Sequence, residues 1–348
     1  ENLHHLSLTI HHIVTDGWSN GIIVQELATL YSTRSKGLAN PLPRPAQYSE
    51  YVALEGSSDE HSAEDETYWL NRFADRVPVL EMPLDHPRPP EKTFNAGRER
   101  IAVSNSLYEG LKRVSAQQRC TMFMTVFSVF TAMIHKLSQQ DDIIVGITAA
   151  GQLAAGGKNV VGYCINLLPI RSRLNGDPTF ASYLADMKQT VLDAHKHQRY
   201  PFRRLLKKLN PPRDPARMPL ISVTFNLDKP RPALTGNTAP QATDLQVEFL
   251  PNSRGFLQWE LFYNLIEADG ELVLECDYNT DLFTVHTARR WMQVYLKLLE
   301  ATVDRPMSSI SSFARIISES NKHARVIEEQ TLEKARVKKF GKLKRRSG

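Results

Sequence analysis

The sequence predicts an α/β protein in which helices and strands alternate in mixed order and pack as layers. Two patterns carry that expectation. Apolar and polar residues alternate in short segments such as Glu271 to Tyr278, whereas in longer ones apolar residues recur every three or four positions, as at Phe180, Leu184, Met187 and Val191. Composition is the third observation: 348 residues, 41% hydrophobic and 23% charged, leave room for two domains or one large one. They exclude wholesale disorder, a collagen-like chain and a disulfide scaffold. Cys120, Cys164 and Cys276 lie far apart among apolar neighbours, with no C-x-x-C spacing, so they read as buried thiols of a reducing compartment rather than a zinc or redox site. No window approaches ~18 consecutive apolar residues and the first residues lack signal-peptide character, so the expected setting is cytoplasmic, with no membrane partner. The net charge of +5 is concentrated at one end. Residues 331–348 hold eight basic side chains and one acid, a net of +7 that leaves −2 for residues 1–330. This localisation argues against nucleic acid as a partner.

Along the chain, Leu6, Leu8 and Ile10 alternate with Ser7, Thr9 and His11, which predicts a half-buried strand running into His11 and His12. Asp16-Gly17 makes a turn, and Ser19 is the expected N-cap of a helix with Ile22, Ile23, Leu27, Leu30 and Tyr31 on one face. Residues 37–50, with Gly37, Pro41, Pro43 and Pro45, read as a loop, and an acidic stretch at 56–66 leads into a helix carrying Tyr68, Trp69 and Phe73. Pro78, Pro83, Pro87, Pro89 and Pro90 hold the chain extended, because a residue preceding proline avoids the helical region. That connector is the expected boundary between two lobes.

Beyond it, helices are expected from Ser106 to Gln118 and from Thr121 to Leu137, the second apolar on most faces and therefore buried. Strands follow from Asp142 to Thr148 and from Cys164 to Leu174, where Pro169 marks an edge or a bulge. A helix from Pro178 to His197 and a short one after Pro201 precede strands at Leu220 to Leu227, Leu245 to Leu250, Gln258 to Glu267 and Glu271 to Tyr278. Ala268-Asp269-Gly270 turns the last two into a hairpin, and Thr284 to Val303 forms an amphipathic helix.

The densest chemistry lies in His11-His12-Ile13-Val14-Thr15-Asp16-Gly17-Trp18-Ser19. On a strand His11 and His12 point to opposite faces, so one enters a cleft while the other packs behind it. Imidazole, with a reference pKa near ~6.5, accepts and returns a proton at neutral pH, which suits acyl transfer to an amine or hydroxyl. Gly17 permits backbone conformations that other residues resist, and Asp16 can brace the turn through side-chain-to-backbone bonds or an arginine partner. Two further readings stay open on these residues alone. One is a purely structural turn; the other is a metal site using His12 and Asp16 four residues apart, for which no third ligand of matching pattern stands nearby. Trp69, Trp259 and Trp291 read as packing groups and His197 as structural. Arg203, Arg204, Lys207 and Lys208 read as a solvated helix face, with an acidic carrier surface as the alternative.

The nine-residue segment resembles the H-H-x-x-x-D-G-W-S motif of the condensation domains of nonribosomal peptide synthetases. Four further segments stand in that family's order. Tyr68-Trp69 with Pro83-Leu84-Asp85-His86-Pro87-Arg88-Pro89 is similar to its Y-W and L-P-x-D-x-P-R-P segment, and Val161-Gly162-Tyr163-Cys164-Ile165-Asn166-Leu167-Leu168-Pro169-Ile170-Arg171 to V-G-x-x-x-N-x-L-P-x-R. His197-Gln198 with Tyr200-Pro201-Phe202 is similar to H-Q-x-Y-P-F, and Arg213-Asp214-Pro215 through Pro219-Leu220 to Phe225-Asn226 to R-D-x-x-x-x-P-L-x-x-V-x-F-N. The agreement spans residues 4–317. Gln152, where arginine is frequent, together with the segments at 163–166 and 276–280, looks more like the group found in mixed polyketide and peptide assembly lines.

The resemblance implies a two-lobe fold of the chloramphenicol acetyltransferase type, with most of the first lobe missing. Residues 1–90 would be the remainder of that lobe with the motif and connector, 91–317 the second lobe, and 318–348 a basic linker. It implies amide formation between an acyl or peptidyl thioester on an upstream carrier domain and the amine of an aminoacyl group on a downstream carrier served by an adenylation domain. Substrates would arrive on phosphopantetheine arms, with no cofactor bound by the domain and no metal. His12 takes the part of the catalytic histidine, as base or as stabiliser of the tetrahedral intermediate; His11 is its structural neighbour. Asp16 would maintain the site by pairing with an arginine, Gly17 would line the cleft, and Asn166 and Arg171 would support the site near the lobe interface, Arg171 as the partner of Asp16. An acyltransferase using a free acceptor and a catalytically silent carrier-binding domain are the alternatives, and the isolated fragment is expected to lack one tunnel wall.

Overall fold

The computed structural model describes residues 3–56, 59–151, 159–229, 255–268, 270–320 and 322. The expected strand at Leu245 to Leu250, Gln152, Asp269 and the basic tail lie outside them. Among the described residues the chain forms one six-stranded mixed sheet with helices packed on it, the α/β layering expected. After a short 3-10 turn, His12–Val14, come α1 (Gly17–Ser35), α2 (Tyr48–Gly56) and α3 (Asp59–Arg72). Next are β1 (Ala96–Val103), α4 (Asn105–Gln117), α5 (Met122–Ser138), β2 (Asp142–Ala150) and β3 (Ile165–Arg173). Then follow α6 (Phe180–Lys196), α7 (Phe202–Leu209), β4 (Val223–Asp228), β5 (Leu261–Ala268), β6 (Glu271–Asn279), α8 (Val285–Asp304) and a last helix, α9, over 311–320.

The strand order is β1-β6-β5-β4-β2-β3, with β4 parallel to both β2 and β5 and the other pairings antiparallel. Pro169 sits on β3, an edge strand, the kind of strand on which a residue lacking an N–H is tolerated. Ala268 pairs with Glu271 across a two-residue turn in which Gly270 has φ +81°, a conformation that a side chain resists. Thr121 caps α5 by accepting from the Met124 N–H, and this helix is buried on nearly every side, as its composition predicts. Val223, Phe225, Leu261, Tyr263, Leu265, Leu274 and Cys276 meet it and α8 in a single main core.

Two expectations are corrected. Leu6 to Ile10 form no strand: Leu3 and Leu6 are 77% and 76% exposed, and no described segment pairs with them. Alternation prepares a segment for a sheet, but a neighbour must supply the hydrogen bonds. The first helix starts at Gly17 and its N-cap is Asp16, not Ser19, and Leu27, Leu30 and Tyr31 on its apolar side remain exposed. Before the connector, Trp69 and Phe73 of α3 join the main core together with Leu80 and Met82, and the Trp69 Nε1–H donates to the His197 carbonyl at 2.9 Å. β1, absent from the sequence reading, is held to β6 by Arg98, which pairs with Asp277 and Glu275, and by Arg100, which pairs with Glu275.

Candidate active site

His11 and His12 do not alternate on a strand. His11 caps the 3-10 turn with φ −68° and ψ 135°, its Nδ1 accepting from the Ile13 N–H at 3.0 Å, and His12 opens that turn. The His12 Nδ1 lies 2.6 Å from the Thr15 carbonyl oxygen. A carbonyl only accepts, so Nδ1 carries the proton and the neutral ring keeps its free lone pair on Nε2. Both histidines are solvent-accessible, whereas Thr15 and Asp16 behind them are buried.

Asp16 is 1% exposed and uses both carboxylate oxygens. Oδ1 accepts from the Ser19 N–H at 2.8 Å and lies 2.7 Å from the Ser19 hydroxyl; Oδ2 accepts from the Cys164 N–H at 3.0 Å. One residue thus caps α1 and ties it to the segment entering β3. Ser19 makes a second tie: its Oγ accepts from the Gly162 N–H at 3.0 Å and lies 2.9 Å from the Gly162 carbonyl. Between these ties stands Tyr163. Its ring meets the His12 ring edge-on, centroids 5.5 Å apart, and its carbonyl accepts the Tyr48 hydroxyl at 2.9 Å. Burial pushes the Tyr163 phenol up from its ordinary pKa, and the Asp16 charge adds to the effect, so it remains protonated.

Gly17 lies at the first helical position with no atom within 4 Å of where a Cβ would stand, and its φ lies outside the positive region. The glycine faces open space and serves no unusual backbone conformation. Gly162 answers a different demand, because a Cβ there would come within 2.2 Å of the Tyr48 ring. Tyr163, Gly162, Tyr48 and the latch formed by Ser19 are the site residues that sequence reasoning passed over. The V-G-Y-C-I-N run held two of them, but nothing in a linear motif shows what it touches.

Asn166 and Arg171 are not brought to His12. Asn166 donates from Nδ2 to the Gln198 and Tyr200 carbonyls, each at 2.8 Å, and accepts from the Phe202 N–H at 3.1 Å, which pins the start of α7 onto β3. Arg171 is no partner of Asp16. It is buried against Asp142 at 2.6 Å and Asp75 at 2.5 Å, and donates to the Arg72 and Arg76 carbonyls. Seven residues along an extended chain place Arg171 roughly 20 Å from Cys164, beyond the reach of its side chain. His197 bonds Asp65 at 2.7 Å and stacks on Tyr68, a packing role. No group of three or more His, Cys, Asp or Glu side chains suited to a metal occurs among the described residues, and no single described helix is long and apolar enough to cross a membrane.

Comparison with known proteins gives a consistent result. The family profile described as Condensation domain matches residues 1–324. Surfactin synthase subunit 1 of Bacillus subtilis (strain 168) is 33% identical over 320 residues, covering 92% of this chain and 9% of the synthase. Gramicidin S synthase 2 of Brevibacillus brevis is 33% identical over 327 residues, covering 92% of this chain and 7% of that protein. The chain therefore spans less than a tenth of the length of these curated relatives. Among solved structures, a four-domain nonribosomal peptide synthetase bound to AMP and glycine matches with TM-score 0.74 at 24% identity, over 86% of this chain and 24% of that one. The condensation domain from Monacolin K polyketide synthase matches with TM-score 0.74 at 18% identity, over 86% of this chain and 69% of that one.

Proposed function

The chain belongs to the condensation-domain family, with its chloramphenicol acetyltransferase-like fold, and from that premise we propose that it forms amide bonds in nonribosomal peptide assembly. The acyl donor is a thioester on the phosphopantetheine arm of an upstream carrier domain, and the acceptor is the amine of an aminoacyl group on a downstream carrier loaded by an adenylation domain. The single observation that carries the reading is the His12 Nδ1 to Thr15 carbonyl bond of 2.6 Å, which leaves Nε2 as a proton acceptor on an exposed turn. The acceptor nitrogen attacks the thioester carbonyl carbon, its proton passes to His12 Nε2, and the carbon–sulfur bond breaks with the proton returning to the departing thiolate. Holding two tethered substrates in line supplies much of the acceleration. Asp16 and Gly17 support the chemistry indirectly, Asp16 by latching the turn and Gly17 by keeping the start of α1 unobstructed. Asn166 and Arg171 act further back, as fasteners of β3.

Amide formation between an acyl-loaded donor carrier and an aminoacyl-loaded acceptor carrier, followed by mass spectrometry, tests this. His12→Ala is expected to lower the rate about a hundredfold or more, with an unchanged melting temperature because the side chain is exposed. Product at the unaltered rate from that variant sinks the assignment of His12. Product only from a free amine overturns the carrier-bound acceptor.

A further inference from the structure

A cavity of about 230 Å³ opens where the last turn of α3, the end of the edge strand β3 and one side of α6 meet. Its floor is closed. Met187 is buried there, and the Ser172 and Tyr183 hydroxyls are engaged with each other at 2.7 Å, with His135 Nε2 and with Thr131. Its rim is open to solvent: Asn71, Arg173 and Asp186 are exposed, and Arg72 and Thr190 are half-buried. A small molecule enters without any change in the fold.

The charges around the cavity sort into a balanced set and a separated pair. Arg171 and Arg173 face Asp75 and Asp142, two guanidiniums against two carboxylates. Arg72 and Asp186 are left over. Arg72, the last residue of α3, donates from Nη2 to the Arg171 carbonyl at 3.0 Å, which fixes its guanidinium at the strand edge. The nearest acid in sequence, Asp75, is paired with Arg171 and Arg173, and no described carboxylate lies within ion-pair distance of Arg72. Asp186 stands on α6 with no described lysine, arginine or histidine within that distance. Burial pushes the Tyr183 phenol on the floor up to about 12, and the Asp186 charge adds to the effect, so this carboxylate is felt inside the cavity. Arg72 and Asp186 thus line one cavity, opposite in sign and too far apart to pair directly.

That arrangement selects by charge. A simple anion would meet Arg72 but bring its charge toward Asp186, and a simple cation would meet Asp186 among three guanidiniums. A molecule carrying both charges satisfies the two walls at once. Size narrows the choice further, because 230 Å³ lies below the roughly 300–1,000 Å³ of sites for drug-sized ligands. An α-amino acid has the required features. It brings a carboxylate for the remaining N–H groups of the Arg72 fork, an ammonium for Asp186, and a side chain to lie on Met187.

We propose that this cavity binds a free α-amino acid as its zwitterion, with Arg72 holding the carboxylate and Asp186 the ammonium. The site lies at the opposite end of β3 from the segment that Asp16 and Ser19 latch, and it does not rest on the function proposed above.

The probe is L-leucine, with N-acetyl-L-leucine lacking the ammonium charge and L-leucinamide lacking the carboxylate. Each is titrated into the full chain at pH 7 while the Asn71 side-chain amide and the Thr190 backbone amide are followed by NMR. L-Leucine is expected to shift both signals saturably. Each blocked derivative should bind about tenfold more weakly or worse, the worth of a charge-assisted hydrogen bond. Asp186→Asn, a change at an exposed position, should weaken leucine by a similar factor and leave N-acetyl-L-leucine no weaker. Arg72→Gln should weaken leucine and leave L-leucinamide no weaker. No saturable response to leucine, equal affinity for leucine and either blocked derivative, or unchanged leucine binding in Asp186→Asn overturns the site. The three ligands compared on the unaltered chain decide even if Arg72→Gln fails to fold.

Discussion

The turn that carries His12 and the sheet beside it are held by different forces. In the sheet, Phe127, Phe130, Phe225, Tyr263 and Tyr295 interlock in a closed apolar core. The turn has little of this: Ile13 and Val14 are exposed, as are Leu27 and Leu30 on α1, and its register against the sheet rests on polar ties from Asp16, Ser19 and Tyr48 to residues 162–164. Apolar burial is non-directional, whereas a hydrogen bond sets both the distance and the direction of its partners. The lightly packed region therefore places the reactive ring, and the densely packed region supplies stability. Variants on either side should separate activity from stability.

The largest separation is expected at Arg171. Its guanidinium satisfies Asp142, Asp75 and two carbonyls from a buried position, and both acids are partly solvated. Removing it costs about 3 kcal/mol, the low end for one partner of a buried pair. Arg171→Ala should lower the denaturant midpoint by that amount while kcat, measured well below the melting temperature, stays near the parent value. A fall in kcat without a fall in stability would return Arg171 to the active site.

A smaller effect in the same body comes from His135. Its Nδ1–H donates to the Gln140 carbonyl at 2.7 Å, and Nε2 lies 2.9 Å from the Ser172 hydroxyl, which in turn contacts Tyr183 at 2.7 Å. Burial pulls its pKa from 6.5 down to about 4, the Gln140 bond opposing only in part. The unfolded chain therefore binds a proton that the folded chain refuses between those values. Stability present above pH 6.5 is lost as the pH falls toward 4, by about 2 kcal/mol between pH 7 and pH 5. Urea midpoints at those two pH values measure it, and His135→Gln should flatten the slope. An unchanged slope in that variant would assign the pH dependence elsewhere.

Much of this division was legible in the sequence. The helices from α4 to α8 and five of the six strands follow from apolar period, because each buries one continuous stripe or face. β1 was not legible, since Arg98, Glu99 and Arg100 interrupt the alternation and are balanced only by cross-strand acids on β6 and by Arg289 on α8. The strand expected at Leu6 to Ile10 shows the converse, a correct period without a neighbour. At the site, His12 and Asp16 could be named because the turn is local. The long-range tie of Asp16 to Cys164 could not: it ends on a backbone N–H 148 residues away, and a backbone group leaves no mark in a side-chain pattern. Arg171 was misassigned for the same reason, its charge being visible and its acids not.

The finest test of the comparison is Gly162, where the two regions touch. A Cβ at this position would come within 2.2 Å of the Tyr48 ring, yet Tyr48 is exposed and can swing away, so the core is not asked to yield. Tyr48 leaves only by surrendering its hydrogen bond to the Tyr163 carbonyl, and Gly162 itself holds Ser19 through its N–H. Gly162→Ala therefore strikes the ties that set Tyr163 against His12 while sparing the sheet. Stability should fall by about 1 kcal/mol, the centre of the range for single substitutions. Condensation should fall about tenfold, since misplacement of a catalytic group by a fraction of an ångström is costly. Tyr48→Ala in the same chain relieves the clash without restoring the hydrogen bond, so the double variant should remain slow. Recovery of full rate in the double variant would show that steric crowding, not the hydrogen-bonded latch, governs the position of His12.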